Sequence, residues 1–212
     1  RTKIIKTNLT SPDIISLHKN LEILKKNKID HVIVEASSHG LSQKRLDGIN
    51  FKAGIFTNLS QDHLDYHKTM KSYLKAKLIL FSKLLPKNSH VISDSFVKEY
   101  QILKKISKSR QLKIHDINNN LSLLKNLPNF IQETFHAKNL SMAALAARLS
   151  NLNDYKIRKA FKKLKHVNGR IELVKKFSNN IKVFIDYAHT PEALFEVLKS
   201  IQSIYSTNNI SL

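Results

Sequence analysis

Ala53-Gly54-Ile55-Phe56-Thr57-Asn58-Leu59-Ser60-Gln61-Asp62-His63-Leu64-Asp65-Tyr66-His67 is the stretch on which the fold class turns. A short apolar run passes directly into a polar string rich in histidine and carboxylate. Met70 to Leu85 follows with helical spacing and is stopped by Pro86, and His90-Val91-Ile92-Ser93 is apolar and β-branched again. Strand, amphipathic helix, strand is the repeating unit of a parallel sheet covered by helices. Working outward, Ile14 to Lys26 reads as a helix with Ser11 and Pro12 as start signals, and His31 to Ala36 as a buried strand. Ser95 to Ile106 reads as helix, Leu112 to Ile117 as strand, and Asn118 to Asn129 as an Asn-rich loop. Ala137 to Leu149 is a strong helical segment, and Asp154 is read as the cap of another running to Leu164. After the Asn168-Gly169 break, strands Ile171 to Phe177 and Ile181 to Ile185 flank a hairpin-like Ser178-Asn179-Asn180, and a helix starts at Pro191. The expectation is an α/β fold with a mainly parallel sheet flanked by helices, plus the beginning of a second α/β domain. The boundary is placed near 166 to 170, giving domains 1–166 and 167–212.

Composition narrows the function. The 212 residues contain no Cys, which excludes a disulfide scaffold and a cysteine-ligated zinc module. No apolar run approaches the roughly 18 residues of a membrane span, and no signal segment opens the sequence. A cytoplasmic protein without membrane insertion is expected. The formal charge of +20 would ordinarily suggest nucleic acid, but 30 of the 36 basic residues are Lys, scattered along the chain among 19 Asn. Such a uniform excess is compositional drift rather than an Arg-and-aromatic reading surface. It would equally serve a small anionic substrate.

Three strands run into polar clusters: Glu35-Ala36-Ser37-Ser38-His39-Gly40 after the first, Thr57 to His67 after the second, and Asp186-Tyr187-Ala188-His189-Thr190-Pro191 after the last. In open α/β sheets the ligand crevice lies at the carboxyl ends of the strands. Single clusters of this composition are ordinary helix caps, but three with histidine or carboxylate in each point to chemistry. Ser38 beside His39 lacks the Gly-x-Ser-x-Gly turn of a hydrolase, and His63 with His67 lacks the Glu of a zincin helix. Oxygen-rich neighbours favour magnesium over zinc, and His67 reads as structural. No Gly-x-x-x-x-Gly-Lys-Ser/Thr loop is present.

These blocks, together with Leu41, Gln43, Arg45, Ala76-Lys77 and Asn168-Gly169-Arg170-Ile171-Glu172, resemble in order and spacing the Mur ligase family, nearest its tripeptide-synthetase branch. The resemblance is dense over residues 31 to 85 and 166 to 200. It implies an ATP-dependent ligase that adds an amino acid to UDP-N-acetylmuramoyl-L-alanyl-D-glutamate through an acyl phosphate, in peptidoglycan synthesis. By the same resemblance Thr10, Ser11, Ser37, Gln43 and Arg45 contact the nucleotide-sugar substrate. Glu35 and His63 are magnesium ligands, and Lys77 is a carboxylated lysine that adds oxygen ligands; these three are the catalytic set. Asn139, Arg170 and Asp186 face ATP. The partners implied are ATP, Mg2+, the UDP-muramyl dipeptide and an amino acid, with no nucleic acid and a monomeric chain. Without the Gly-rich loop, a truncated and inactive fragment is expected. The alternatives are a related amide ligase of the cyanophycin or folylpolyglutamate synthetase type, or a non-catalytic basic remnant.

Overall fold

The computed structural model describes residues 9–119, 135–165, 167–205 and 209–211. They form two compact units: one built from residues up to Phe56 and from His63–His115, the other from Thr57–Asp62 and from Asp116 onward.

In the first unit, helix α1 (Ile14–Lys26) starts at Asp13, whose carboxylate accepts from Ser16 N at 2.9 Å. Asp13 therefore performs the capping read from Ser11 and Pro12. Ser37 caps the short α2 (Ser38–Ser42) by accepting from Gly40 N. Strand β1 (Ala53–Phe56) pairs in parallel with β2 (His90–Ser93), Gly54 opposite Val91 and Ile55 opposite Ile92, and β3 (Lys113–Asp116) adds to β2. Between β1 and β2 run α3 (Leu64–His67), α4 (Met70–Ile79) and a wide π-type turn, Leu80–Leu84. This is the parallel, helix-flanked sheet that the sequence implies. Helix α5 (Tyr100–Arg110) connects β2 to β3.

Both faces of the sheet are covered, since Val91 and Ile92, neighbours on β2 that point to opposite faces, are each fully buried. Phe56, Phe81, Leu46, Leu85, Val91, Ile92 and Leu103 are all at most 2% exposed. Gly54 has no side chain because there is no room for one. A Cβ there would stand 3.0 Å from Phe81 Cε1 and 3.2 Å from both Leu80 Cδ2 and Leu85 Cδ1.

Several sequence expectations need correction. Residues 31 to 36 belong to no helix and no sheet among the described residues, and Ile33 is 97% exposed. An apolar β-branched run specifies extended backbone, whereas a buried strand also needs a partner strand. The helix read from Ser95 begins only at Tyr100, because the buried Asp94 carboxylate accepts from Phe96 N at 2.9 Å and holds a turn first. The loop read at 118 to 129 lies mostly outside the described residues.

The second unit contains α6 (Phe135–Leu149), α7 (Asp154–Phe161), strands β4 (Glu172–Lys176) and β5 (Lys182–Ile185), and α8 (Pro191–Tyr205). Asn153 caps α7 by accepting from Lys156 N, so Asp154 is the first helical residue and instead forms a two-pronged pair with Arg148, at 2.9 and 2.7 Å. Helix α7 ends at Phe161, short of the Leu164 expected. The antiparallel β4–β5 hairpin, with Asn180 at φ +67°, packs Phe184 against Ile171, Val197 and Ile201 beneath α8.

One histidine pair makes stability depend on pH. His90 Nδ1 and His115 Nε2 lie 2.9 Å apart across β2 and β3. Burial holds both imidazoles below their ordinary value of 6.5, helped by His115, Lys113 and Lys52 for His90 and by Lys113 for His115. A lowered folded-state value means that the unfolded chain takes up more protons as pH falls below 6.5. Stability is therefore fully present above that pH and declines below it. Urea midpoints measured from about pH 7.5 down to about pH 5 should fall, and His115→Gln should flatten the slope. A midpoint independent of pH over that range would contradict this reading.

Candidate active site

Ser11 anchors the site. It is completely buried, and its hydroxyl donates to the Glu35 carbonyl at 2.7 Å, accepts from Ser37 N at 3.0 Å and lies 2.9 Å from Ser37 Oγ. Arg45 reaches the same place from the turn after α2, its Nη1 donating to the Ser11 carbonyl at 3.0 Å. Its Nη2 donates to Gln43 Oε1, and Gln43 Nε2 donates to the Tyr66 hydroxyl at 3.1 Å. Ser11, Ser37, Gln43 and Arg45, drawn from separate segments of the sequence, thus form one hydrogen-bonded cluster. Thr10 stands exposed beside it.

Next to this cluster lies a stack of rings that sequence spacing alone does not announce. His39 is 5.0 Å from His63, 4.2 Å from Tyr66 and 5.4 Å from His67, centroid to centroid. His67 stacks on Tyr73 at 5.1 Å, and His63 meets the same Tyr73 edge-on at 5.8 Å. His67 is 7% exposed and its Nε2 lies 2.9 Å from Ser38 Oγ. Burial first, then the neighbouring His39 and His63, hold its imidazole below the ordinary value. Ser38 and His67 have nucleophile-and-base spacing, but both are buried, and the pair braces α2 against α3. In the sequence His67 reads as structural because the Glu of a zincin helix is missing, and its partner Ser38 carries no signal. The hydroxyl of Ser42 and the amide of Gln43 pull the Tyr66 phenol below its ordinary value of 10.0.

Lys77 enters from α4. It is half-buried, whereas Lys71, Lys75 and Lys83 are exposed. Its Nζ stands 5.4 Å from the ring centroids of both Phe56 and Tyr73, a cation-over-ring arrangement on the inner side of the helix. The buried residues of α4 are Tyr73 and Ala76; of the apolar positions Leu74, Leu78 and Phe81 that helical spacing sets on the side of Lys77, Phe81 is buried and Leu74 and Leu78 are half-buried. His63 and Lys77 thus share Tyr73. Glu35 is exposed at its side chain and fixed through its carbonyl by Ser11.

In the second unit, Asp186 accepts from Ile171 N at 2.8 Å and from Ala188 N at 2.7 Å, fixing the turn that carries Arg170. Arg170 lies over the exposed Tyr187 ring at 5.2 Å, and Tyr187 meets His189 edge-on at 5.3 Å. Asn139 is exposed on α6.

Residues 1–149 match the Mur ligase middle domain. The chain is 34% identical over 220 residues to the UDP-N-acetylmuramoyl-L-alanyl-D-glutamate--2,6-diaminopimelate ligase of Rhizobium meliloti, covering 92% of this chain and 45% of that protein. It is 36% identical over 217 residues to the protein of the same name from Rickettsia bellii, with the same coverages. Among solved structures, a murein peptide ligase Mpl from Psychrobacter arcticus aligns with a TM-score of 0.47 and 18% identity, over 73% of this chain and 35% of that one. The chain spans less than half the length of the curated relatives it matches. No described helix is long and apolar enough to cross a membrane. On the match over residues 1–149, the chain belongs to the Mur ligase family.

Proposed function

We propose that this chain forms the substrate-facing part of an ATP-dependent ligase that joins an amino acid to UDP-N-acetylmuramoyl-L-alanyl-D-glutamate in peptidoglycan synthesis. The names of its relatives supply 2,6-diaminopimelate as the candidate amino acid. The observation that carries this is the meeting of Ser11, Ser37, Gln43 and Arg45 in one cluster beside His63, Tyr73 and Lys77. Arg45 presents a planar fork suited to the oxyanions of a nucleotide-sugar, while Ser37 and Thr10 add hydroxyls near it.

ATP, when bound, supplies the phosphoryl group that turns the D-glutamyl carboxylate into an acyl phosphate open to attack by an amine, and Mg2+ supplies charge neutralisation for that transfer. Among the described residues no three His, Cys, Asp or Glu side chains gather as a ready cation site. A hard cation here needs a further oxygen donor, and a carbamate on Lys77 would add one to His63 and Glu35 as the candidate ligands. That donor set fits magnesium in its chemistry. Asn139, Arg170 and Asp186, all three in the second unit, are the candidates for holding ATP. A cytoplasmic, monomeric protein suits such nucleotide-linked substrates.

Calorimetric titration with UDP-N-acetylmuramoyl-L-alanyl-D-glutamate tests this reading. Arg45→Ala should weaken binding by about 1.5 to 3 kcal/mol, the usual worth of hydrogen bonds to charged groups. Unchanged affinity would show that the cluster is not the substrate face.

A further inference from the structure

Tyr66 touches both halves of the candidate site. Its ring packs on His39 at 4.2 Å and His67 at 4.8 Å, while its hydroxyl accepts from Gln43 Nε2 at 3.1 Å and lies 3.2 Å from Ser42 Oγ. Gln43 is therefore engaged at both ends of its amide, with the nitrogen on the Tyr66 phenol and the oxygen on Arg45 Nη2. The two ends are not interchangeable. A guanidinium has donors and no acceptor, so a reversed amide would set its NH2 against Arg45 and lose that bond. The phenol can accept from the amide nitrogen or donate to an amide oxygen, so the guanidinium sets which way the amide faces and the phenol anchors its far end. The chain of contacts continues from Arg45 Nη1 to the Ser11 carbonyl, so the guanidinium is held from two sides, by Gln43 and by Ser11.

We propose that Tyr66 is a positioning residue for the nucleotide-sugar substrate: through Gln43 it orients the Arg45 guanidinium towards a substrate oxyanion of the diphosphate or carboxylate class. This rests on the reading of Arg45 as a substrate contact. Tyr66 itself touches no reacting atom. The rings of His39 from α2 and His67 from α3 hold the phenol in place.

The test is a double-mutant cycle on the full 212-residue chain, with UDP-N-acetylmuramoyl-L-alanyl-D-glutamate as the titrated ligand. Tyr66→Phe keeps the ring against His39 and His67 and removes only the hydroxyl, so its thermal midpoint should stay close to that of the parent. Affinity should drop about fivefold, corresponding to one hydrogen bond. In an Arg45→Ala background the same change should have no further effect, because there is no guanidinium left to orient. If Arg45→Ala weakens binding and Tyr66→Phe does not, the positioning role is wrong while the substrate face stands. An equal loss from Tyr66→Phe with and without Arg45 would also overturn it, since the hydroxyl would then act on the ligand directly. If Arg45→Ala binds as tightly as the parent, the substrate face itself is misplaced and the positioning role falls with it.

Discussion

Gly40→Ala should lower the unfolding free energy of the first unit by about 2 kcal/mol and weaken nucleotide-sugar binding with it. Opposing terms decide the sign. Alanine is worth up to about 1 kcal/mol more than glycine inside a helix, and Gly40 lies in α2. The added Cβ would, however, stand 2.7 Å from Ser11 Cβ, 2.8 Å from Ser11 Oγ and 3.1 Å from Ser37 Oγ. Ser11 is short and completely buried, so it has no free end to swing aside. Overpacking of this kind typically costs about 1 to 3 kcal/mol, and displacing the Ser11 hydroxyl adds about 1 kcal/mol for each bond lost to Glu35 or Ser37. The clash outweighs the helix gain. Urea unfolding with tyrosine fluorescence as the probe, the chain having no Trp, gives the number. A midpoint at or above that of the parent would mean that Ser11 yields more easily than its burial indicates.

Phe81→Ala should be costlier, at about 3 to 5 kcal/mol, the usual range for removing a buried phenylalanine. Phe81 is 2% exposed, lies 6.0 Å from the Phe56 ring and reaches the Gly54 backbone. The neighbours that would have to collapse into the hole are strand β1 and the π turn, and hydrogen bonds hold both of them. Phe56 is also one of the two rings beneath Lys77 Nζ, so the cavity loosens the seat of that lysine. Denaturant titration should show a lower midpoint with an unchanged slope. A loss below about 1 kcal/mol would place Phe81 outside the core that the packing describes.

Much of this architecture was legible before any coordinates, for reasons that differ from one element to the next. The β1–β2 pair is written in the order of strand, helix and strand, and the β4–β5 hairpin in the turn residues between its strands. The gathering of Ser11, Ser37, Gln43 and Arg45 was legible only as a resemblance, since hydrogen bonds across 26 and 34 residues leave no periodic trace. Helix starts were misread where two capping residues compete. Asp13 caps in place of Ser11 because Ser11 is spent on Glu35 and Ser37, and Asn153 caps in place of Asp154 because Arg148 claims the aspartate. Residues 31 to 36 show the limit of reading apolar runs: Val32-Ile33-Val34 encodes extension, and pairing is a property of other segments. The ring cluster around His39 was illegible because ring-on-ring contact depends on how α2, α3 and α4 approach one another.

The π turn after α4 has a consequence for how this helix tolerates change. An α-helix is a single gear train, in which shifting one residue turns every side chain downstream. The wide turn at Leu80–Leu84 works as a clutch between two sets of teeth, and Arg110 locks it by donating from Nη2 to the carbonyls of Lys83 at 3.2 Å and Leu85 at 3.1 Å. Upstream, Tyr73, Ala76 and Lys77 are indexed to the ring cluster; downstream, Phe81 and Leu85 are indexed to the sheet. An inserted or deleted residue in one half is thereby kept from rotating the other half out of mesh.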